Sequence, residues 1–357
     1  MSWVDDLEHR ARVGLPAYVA GYVAAAAGGG ECLAEELAGW EALRFRPRVL
    51  TDTGDVDLTT TVLGTPVRTP VLVAPMAQQV AAHPDGEAAT GRAAAAAGSL
   101  LGVSTNTAVP FADVAATGAP WWYQVYVMAD RGLTRLLVER AAAAGARALV
   151  LTLDTTALAT DAPGGQGVEP TDWPPGPARA RATALTSEDL ADRDQGATAM
   201  ARDLDADVVG WLAEVSGLPV LVKGVLRGDD AVRCLDAGAA GVVVSTHGGR
   251  RLGSSVTALR ALPEVVAALD GRAEVLVDSG IRSGAHVAAA LALGARAAFV
   301  GRPAWWGLAA DGEAGVRSVL DRLTAELALV LRQVGAPSVR ALAPDLLDPA
   351  TLPARPR

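Results

Sequence analysis

The amino-acid sequence predicts an α/β chain folded as a (β/α)8 barrel, with an N-terminal helical cap and a long loop after the fourth strand. Three observations carry this. A unit recurs in which a helical segment ends in a Gly-Ala step, a short β-branched run follows, and a loop of small or polar residues closes it: "AAAAGARALVLTLD", "CLDAGAAGVVVSTHGG" and "ALALGARAAFVGRP". The glycine suits the left-handed cap that ends a helix, and the valine-rich run without polar alternation suits a parallel strand buried on both faces. Such runs number eight, in one uninterrupted series. No Gly-rich dinucleotide fingerprint follows the first run, which weighs against the alternative, a doubly wound sheet.

Taken in order, residues 1–70 are expected to form the helical cap and lead-in. The barrel strands fall at 71–76, 100–105, 121–127, 148–154, 219–224, 241–246, 274–280 and 297–302. Seven intervals have room for a helix, and a helix at 313–334 follows the eighth strand. The barrel domain is thus read as 71–340 and the C-terminal tail as 341–357. One interval is anomalous. Residues 155–205 include "DAPGGQGVEPTDWPPGPARARAT", rich in Pro and Gly and without a clear period. A loop of this length suggests a lid or disorder, and in a barrel it lies on the C-terminal face.

Composition narrows the function. Half of the 357 residues are apolar, enough for a large core, and the net charge of −9 comes with no basic tract, which argues against a nucleic-acid partner. Cys32 and Cys234 lack metal-type spacing and read as reduced structural thiols of a cytoplasmic protein. The acidic start "MSWVDDLEHR" has no signal-peptide form, and apolar runs such as "PVLVAPMA" are too short to cross a membrane.

Barrel chemistry is built where strands end. The ends supply Ala77 and Gln78, Ser104 and Thr105, Gln124 and Tyr126, Thr152 and Asp154, Lys223, then Ser245, His247 and Arg250, then Asp278, Gly280 and Arg282, and last Gly301 and Arg302. A ring holding Lys, His, Asp and three Arg is expensive to bury without a ligand. The glycines and arginines after strands seven and eight suit a phosphate, through backbone N–H groups and Arg302. Tyr126, Asp154, His247 and Arg250 make an acid-base and anion-holding arc. The other histidines, His9, His83 and His286, read as structural or solvated.

The segments "FRPRVLTDTGDVDLTTTVLG", "AHPDGEAAT", "QVYV", "LTLDT", "LVKGV", "VSTHGGRRL", "GIRSG", "ALALGA" and "GRPAWWGLAADGEAGV" stand in one order along the chain. In that order they resemble the FMN-dependent α-hydroxy-acid oxidase and dehydrogenase family over about residues 15–340. The resemblance implies an oxidoreductase in which FMN lies across the barrel mouth and an α-hydroxy acid is oxidised to its 2-oxo product. Lys223 would stand near flavin N1 and stabilise the reduced anion. Ser104, Gln124, Thr152 and Ser245 would bond the ring or ribityl chain. Asp278, Gly280, Arg282, Gly301 and Arg302 would hold ribityl and phosphate. His247 would be the base, oriented by Asp154, while a hydride equivalent passes to flavin N5. Tyr22, Tyr126 and Arg250 would hold the substrate's acid and hydroxyl groups. Ala77, beside the flavin, leans toward O2 rather than another electron acceptor. A homo-oligomer, a tetramer by this resemblance, is implied too.

The chain also departs from the family's pattern. After Asp154 the family runs Thr-Pro-x-x-Gly-x-Arg; here the text is "TTALATD", and Asp161 replaces the second substrate arginine. Ser-Asn-His becomes "STH" with Thr246, and Asp-Gly-Gly becomes "DSG" with Ser279. The cofactor and base positions survive, so the departures bear on the substrate. An amine-bearing, amidated or carrier-bound substrate, with oxidative deamination or isomerisation, stays open beside the simple hydroxy acid. So does a non-catalytic FMN-binding homologue, although such a scaffold has little need of Asp154 and His247.

Overall fold

Valine-rich runs that bury both faces have one economical arrangement, a sheet closed on itself inside a ring of helices. The computed structural model describes residues 2–155, 185–191, 193–194 and 196–352. Among them eight parallel strands form a closed barrel: β1 (Val71–Met76), β2 (Leu101–Val103), β3 (Trp121–Val125), β4 (Leu149–Thr152), β5 (Val220–Val225), β6 (Gly241–Val244), β7 (Glu274–Val277) and β8 (Ala297–Val300). Each pairs with its successor, and β8 closes on β1 through the pair Ala298 and Val71. The fold is the (β/α)8 barrel that the sequence predicts.

The two faces of these strands fill two cores. Leu72, Trp122, Val150, Leu221, Val243, Leu276 and Phe299 point inward and pack together, so the barrel is solid below its mouth. The alternate residues, among them Val73, Val103, Tyr123, Leu151 and Val222, pack outward against the helices. Most runs outlast their strands by one to three residues, because the chain leaves the ladder to build the mouth. The sixth run, read as 241–246, ends as a strand at Val244.

The lead-in differs from expectation. Helices α1 (Trp3–Gly14), α2 (Ala17–Ala24) and α3 (Glu31–Ala42) form the cap, but helix stops there. Residues Thr60–Val62 and Thr65–Val67 make a β-hairpin instead. Its two turn residues, Leu63 and Gly64, both have positive φ, the type I′ geometry whose twist matches that of the flanking strands. Val62 and Val67 pack into the inner core, and the Leu63 amide donates to Glu274 Oε2 at 2.9 Å at the start of β7, so the hairpin plugs the N-terminal mouth. The helix expected at 313–334 is the second half of Arg302–Val334, which kinks where Asp311 and Gly312 leave helical geometry. Among the described residues no helix is long and apolar enough to cross a membrane.

The cap sits over the C-terminal mouth. Trp40 of α3 donates from Nε1 to the Ser279 carbonyl at 3.0 Å. Glu36, buried on the same helix, accepts from the Ala258 amide at 2.6 Å and from Thr246 Oγ1 at 3.0 Å. One helix therefore fixes the loops after β6 and β7.

Candidate active site

The strand ends open into a cavity of about 640 Å³, of a size that holds a cofactor and a small ligand. Of the residues expected at the site, Tyr22, Ala77, Ser104, Gln124, Tyr126, Thr152, Lys223, His247, Arg250, Asp278, Gly280, Arg282, Gly301 and Arg302 all line it. Ser245 and Asp154 stand just behind the lining, each bonded to His247. Asp161 lies outside the described residues, as does most of the Pro- and Gly-rich loop. The described end of that loop adds Leu185, Leu190, Thr198, Ala199 and Met200 to the cavity wall. It is tied to the exit of β3 by the Ala129 amide on Ala199 O at 2.7 Å.

Lys223, at the end of β5, is 5% exposed and donates to Ser245 Oγ at 2.7 Å and to Asp278 Oδ2 at 3.0 Å. Burial works against its ammonium, but the charges of Asp278 and Asp154 outweigh burial and raise its pKa. Lys223 is therefore a fixed cation under the cavity. The next residue, Gly224, has φ +103°, and a Cβ there would lie 2.6 Å from Asp154 Cβ. A missing side chain is what seats Asp154.

Asp154 and His247 form a pair, with Nδ1 2.9 Å from Oδ1. His247 has φ +55°, an uncommon conformation for a non-glycine residue. It is held by its amide donating to Ser245 Oγ at 3.0 Å. Burial pushes the imidazole pKa down to about 4; Asp154 pulls upward, while Lys223 and Arg251 push down. Burial alone would raise Asp154, but His247, Lys223 and Arg251 more than reverse this and hold it far below the ordinary carboxylate range. The ionised Asp154 accepts from Nδ1–H, which leaves Nε2 unprotonated and available as a base.

The opposite wall holds unpaired polar atoms. Gln124 Oε1 accepts from Ser104 Oγ at 3.3 Å and from the Thr105 amide at 3.2 Å, which aims Nε2 away from both. Among the described residues that Nε2 is buried without a partner, as are Thr152 Oγ1 and Gln78 Oε1. Buried polar atoms without partners are rare. Here two of the four residues that resemblance assigned to the ring or ribityl chain, Gln124 and Thr152, with Gln78 beside them, offer the edge of a heteroaromatic ring something to bond.

The phosphate arc is more committed than expected. Arg302 donates to Val23 O at 2.9 Å, Gly248 O at 2.9 Å and Ala25 O at 2.8 Å, and Arg282 donates to Ile281 O at 2.8 Å. Neither has a carboxylate partner among the described residues. Burial lowers the pKa of Arg282 to about 10; burial, with Arg250 and Arg282 nearby, lowers that of Arg302 to about 9. Two converging guanidiniums with spare N–H groups and no counter-ion suit a dianion. Gly301, which precedes the helix Arg302–Val334, adds the positive end of that helix. Lys223, the unpaired polar atoms and this arginine arc together fit FMN.

Several organising residues were not legible as such. Ser279 has φ +74°, and its hydroxyl accepts the amides of Thr246 at 3.1 Å and Gly248 at 3.0 Å while donating to Asp278 Oδ1 at 2.8 Å. The two departures "STH" and "DSG" are thus bonded to each other across the site. Glu36, Gly224 and Arg251 carry no sequence signal beyond their neighbours' motifs.

Residues 11–349 match the family model described as FMN-dependent dehydrogenase. The chain is 42% identical over 348 residues to L-lactate oxidase of Nostoc sp., with 92% of this chain and 93% of that protein covered. It is 38% identical over 349 residues to glycolate oxidase of Spinacia oleracea, covering 95% and 93%. Among solved structures, a soluble mutant of the membrane-associated (S)-mandelate dehydrogenase from Pseudomonas putida superposes with a TM-score of 0.86 at 32% identity, covering 97% of this chain and 98% of that one.

Proposed function

The chain belongs to the FMN-dependent dehydrogenase family, whose relatives are oxidoreductases acting on CH–OH with FMN, and within it we propose that this enzyme is an α-hydroxy-acid oxidase reoxidised by O2. The net reaction takes an α-hydroxy acid and O2 to the 2-oxo acid and H2O2. The observation that carries the reading is the His247–Asp154 pair, 2.9 Å apart and facing a cavity lined by Lys223, unpaired polar atoms and arginines.

Bound FMN supplies the two-electron acceptor that amino-acid side chains lack. The chain's own residues do the rest. Neutral His247 takes the substrate's hydroxyl proton on Nε2, and Asp154 stabilises the imidazolium that forms. Lys223 holds positive charge beneath the site where negative charge would accumulate. Arg250, with Tyr22 under its guanidinium at 4.8 Å, and Tyr126 hold the substrate's carboxylate and hydroxyl. Ala77 lines the cavity, and the family resemblance at that position leans toward O2 as acceptor. A homotetramer is the assembly that the family resemblance implies, and a cytoplasmic location is the reading that the two cysteines without metal-type spacing favour.

The test is anaerobic addition of 2-hydroxy acids, their amides and the matching amines to the yellow holoenzyme. Bleaching by a hydroxy acid, with H2O2 on admitting air, supports the reading. Bleaching by the amine alone would shift it to oxidative deamination, the alternative that Asp161 suggests. His247→Ala should stay yellow and fail to bleach; retained bleaching would remove His247 from the chemistry.

A further inference from the structure

Two adjacent arginines follow His247, and they are not equivalent. Arg250 Nη1 donates to Tyr22 O at 2.5 Å and to Val23 O and Ala25 O, each at 3.3 Å. Its guanidinium also lies over the Tyr22 ring, so it is fastened to the end of α2. Arg251 lines the same cavity but makes no hydrogen bond or ion pair among the described residues, and its Nε is buried without a partner. Its charge nonetheless reaches both members of the catalytic pair, lowering the pKa of Asp154 and of His247.

A guanidinium partly withdrawn from water, unpaired, and beside another cation is disfavoured until an anion arrives. The anion in this reaction is the substrate carboxylate. The sequence offers Asp161 where a second arginine for that carboxylate is expected. We propose that Arg251 is a specificity-determining residue of this enzyme, the second guanidinium that receives the carboxylate of an α-hydroxy-acid substrate. The proposal rests on the hydroxy-acid reading above. It also has a consequence for the base. A carboxylate on Arg251 screens the push that this cation exerts on the imidazole, so His247 becomes more basic as the substrate binds. An uncharged amide or ester of the same acid would neither pair with Arg251 nor strengthen the base.

The experiment uses the FMN-loaded enzyme, Arg251→Gln and Arg251→Lys. Oxalate, a small dicarboxylate with no oxidisable hydroxyl, is titrated against each while the flavin absorbance is followed. KM and kcat are measured for the hydroxy acid that bleaches the wild type best and for its amide. Loss of a charge-assisted pair predicts that Arg251→Gln weakens oxalate binding and raises the hydroxy-acid KM by about tenfold to a hundredfold, with kcat little changed. Arg251→Lys should recover part of both, and KM for the amide should not move. Unchanged oxalate affinity and KM in Arg251→Gln, or a fall confined to kcat, would overturn the proposal and make Arg251 a partner of Asp154 instead. A wild-type enzyme that no hydroxy acid bleaches would refute the parent reading and this one with it. A bleaching wild type with an indifferent Arg251→Gln refutes this one alone.

Discussion

Ser279 offers the sharpest test of how the site is held. It sits in the left-handed region at φ +74°, which disfavours a side chain by about 1 kcal/mol or more. Against that stand three hydrogen bonds: two amides received, at 3.1 Å and 3.0 Å, and one proton given to Asp278 at 2.8 Å. Ser279→Ala keeps the strain and deletes all three. The Thr246 amide is buried and the Gly248 amide half-buried, and each unsatisfied buried donor costs about 1–3 kcal/mol, so about 2–4 kcal/mol is expected in total. Ser279→Gly deletes the same bonds but relieves the strain, so its loss should be smaller by about 1 kcal/mol. The order of melting temperature should be wild type, then Ser279→Gly, then Ser279→Ala, measured on holoenzyme at one FMN concentration. Both variants loosen the loop that aims His247, so kcat should fall in both by roughly tenfold, since ~1.4 kcal/mol of lost positioning is one decade. If Ser279→Gly were the most stable of the three, strain would outweigh the hydrogen bonds and the argument would be wrong.

Four further outcomes follow from the same geometry. Asp154→Asn removes the charge that stabilises the imidazolium, and kcat for the hydroxy acid should drop about 10²-fold or more while flavin content holds; a drop of a few-fold would show that Asp154 only packs. His247, lowered to about 4 by burial, must be neutral to act, so kcat/KM should stay level from pH 8 down to about 5 and decline below, and a limb at or above the ordinary value of about 6.5 would contradict the assignment. The same depression means that the unfolded chain binds this proton first, so the folded state loses stability as pH falls from about 6.5 toward about 4, seen as a falling melting temperature that His247→Asn makes shallower. Glu36 is raised by burial to about 7, so its contribution is full below about 4.5 and lost as pH rises through 7; the melting temperature of Glu36→Gln should change less between pH 6 and pH 8.5 than that of the wild type.

What was legible in the sequence had a local cause. Strands buried on both faces must read as apolar runs, so each of the eight was visible, with errors only where the chain leaves the ladder. The hairpin at 60–67 was missed because one positive-φ pair, Leu63 and Gly64, carries its only signal. At the site, residues whose chemistry matters one by one could be named: Lys223, His247, Asp154 and the strand-end amides and hydroxyls. Residues that act through a distant partner could not. Ser279 and Thr246 looked like two separate departures until the fold set one against the other. Glu36 carries no local signal, because its partners Ala258 and Thr246 lie more than 200 positions away.

The sequence by itself determined the barrel, the ring of polar strand ends and the chemistry that ring can do, because periodicity and residue type are local properties of the chain. Only the tertiary structure decided the division of labour within the ring. It bound Arg250 and Arg302 to the carbonyls of the cap and left Arg251, among the described residues, unpaired beside the base. A guanidinium's role depends on which acceptors lie within about 3 Å of it, and that distance is set by elements that meet only when the cap closes over the barrel mouth.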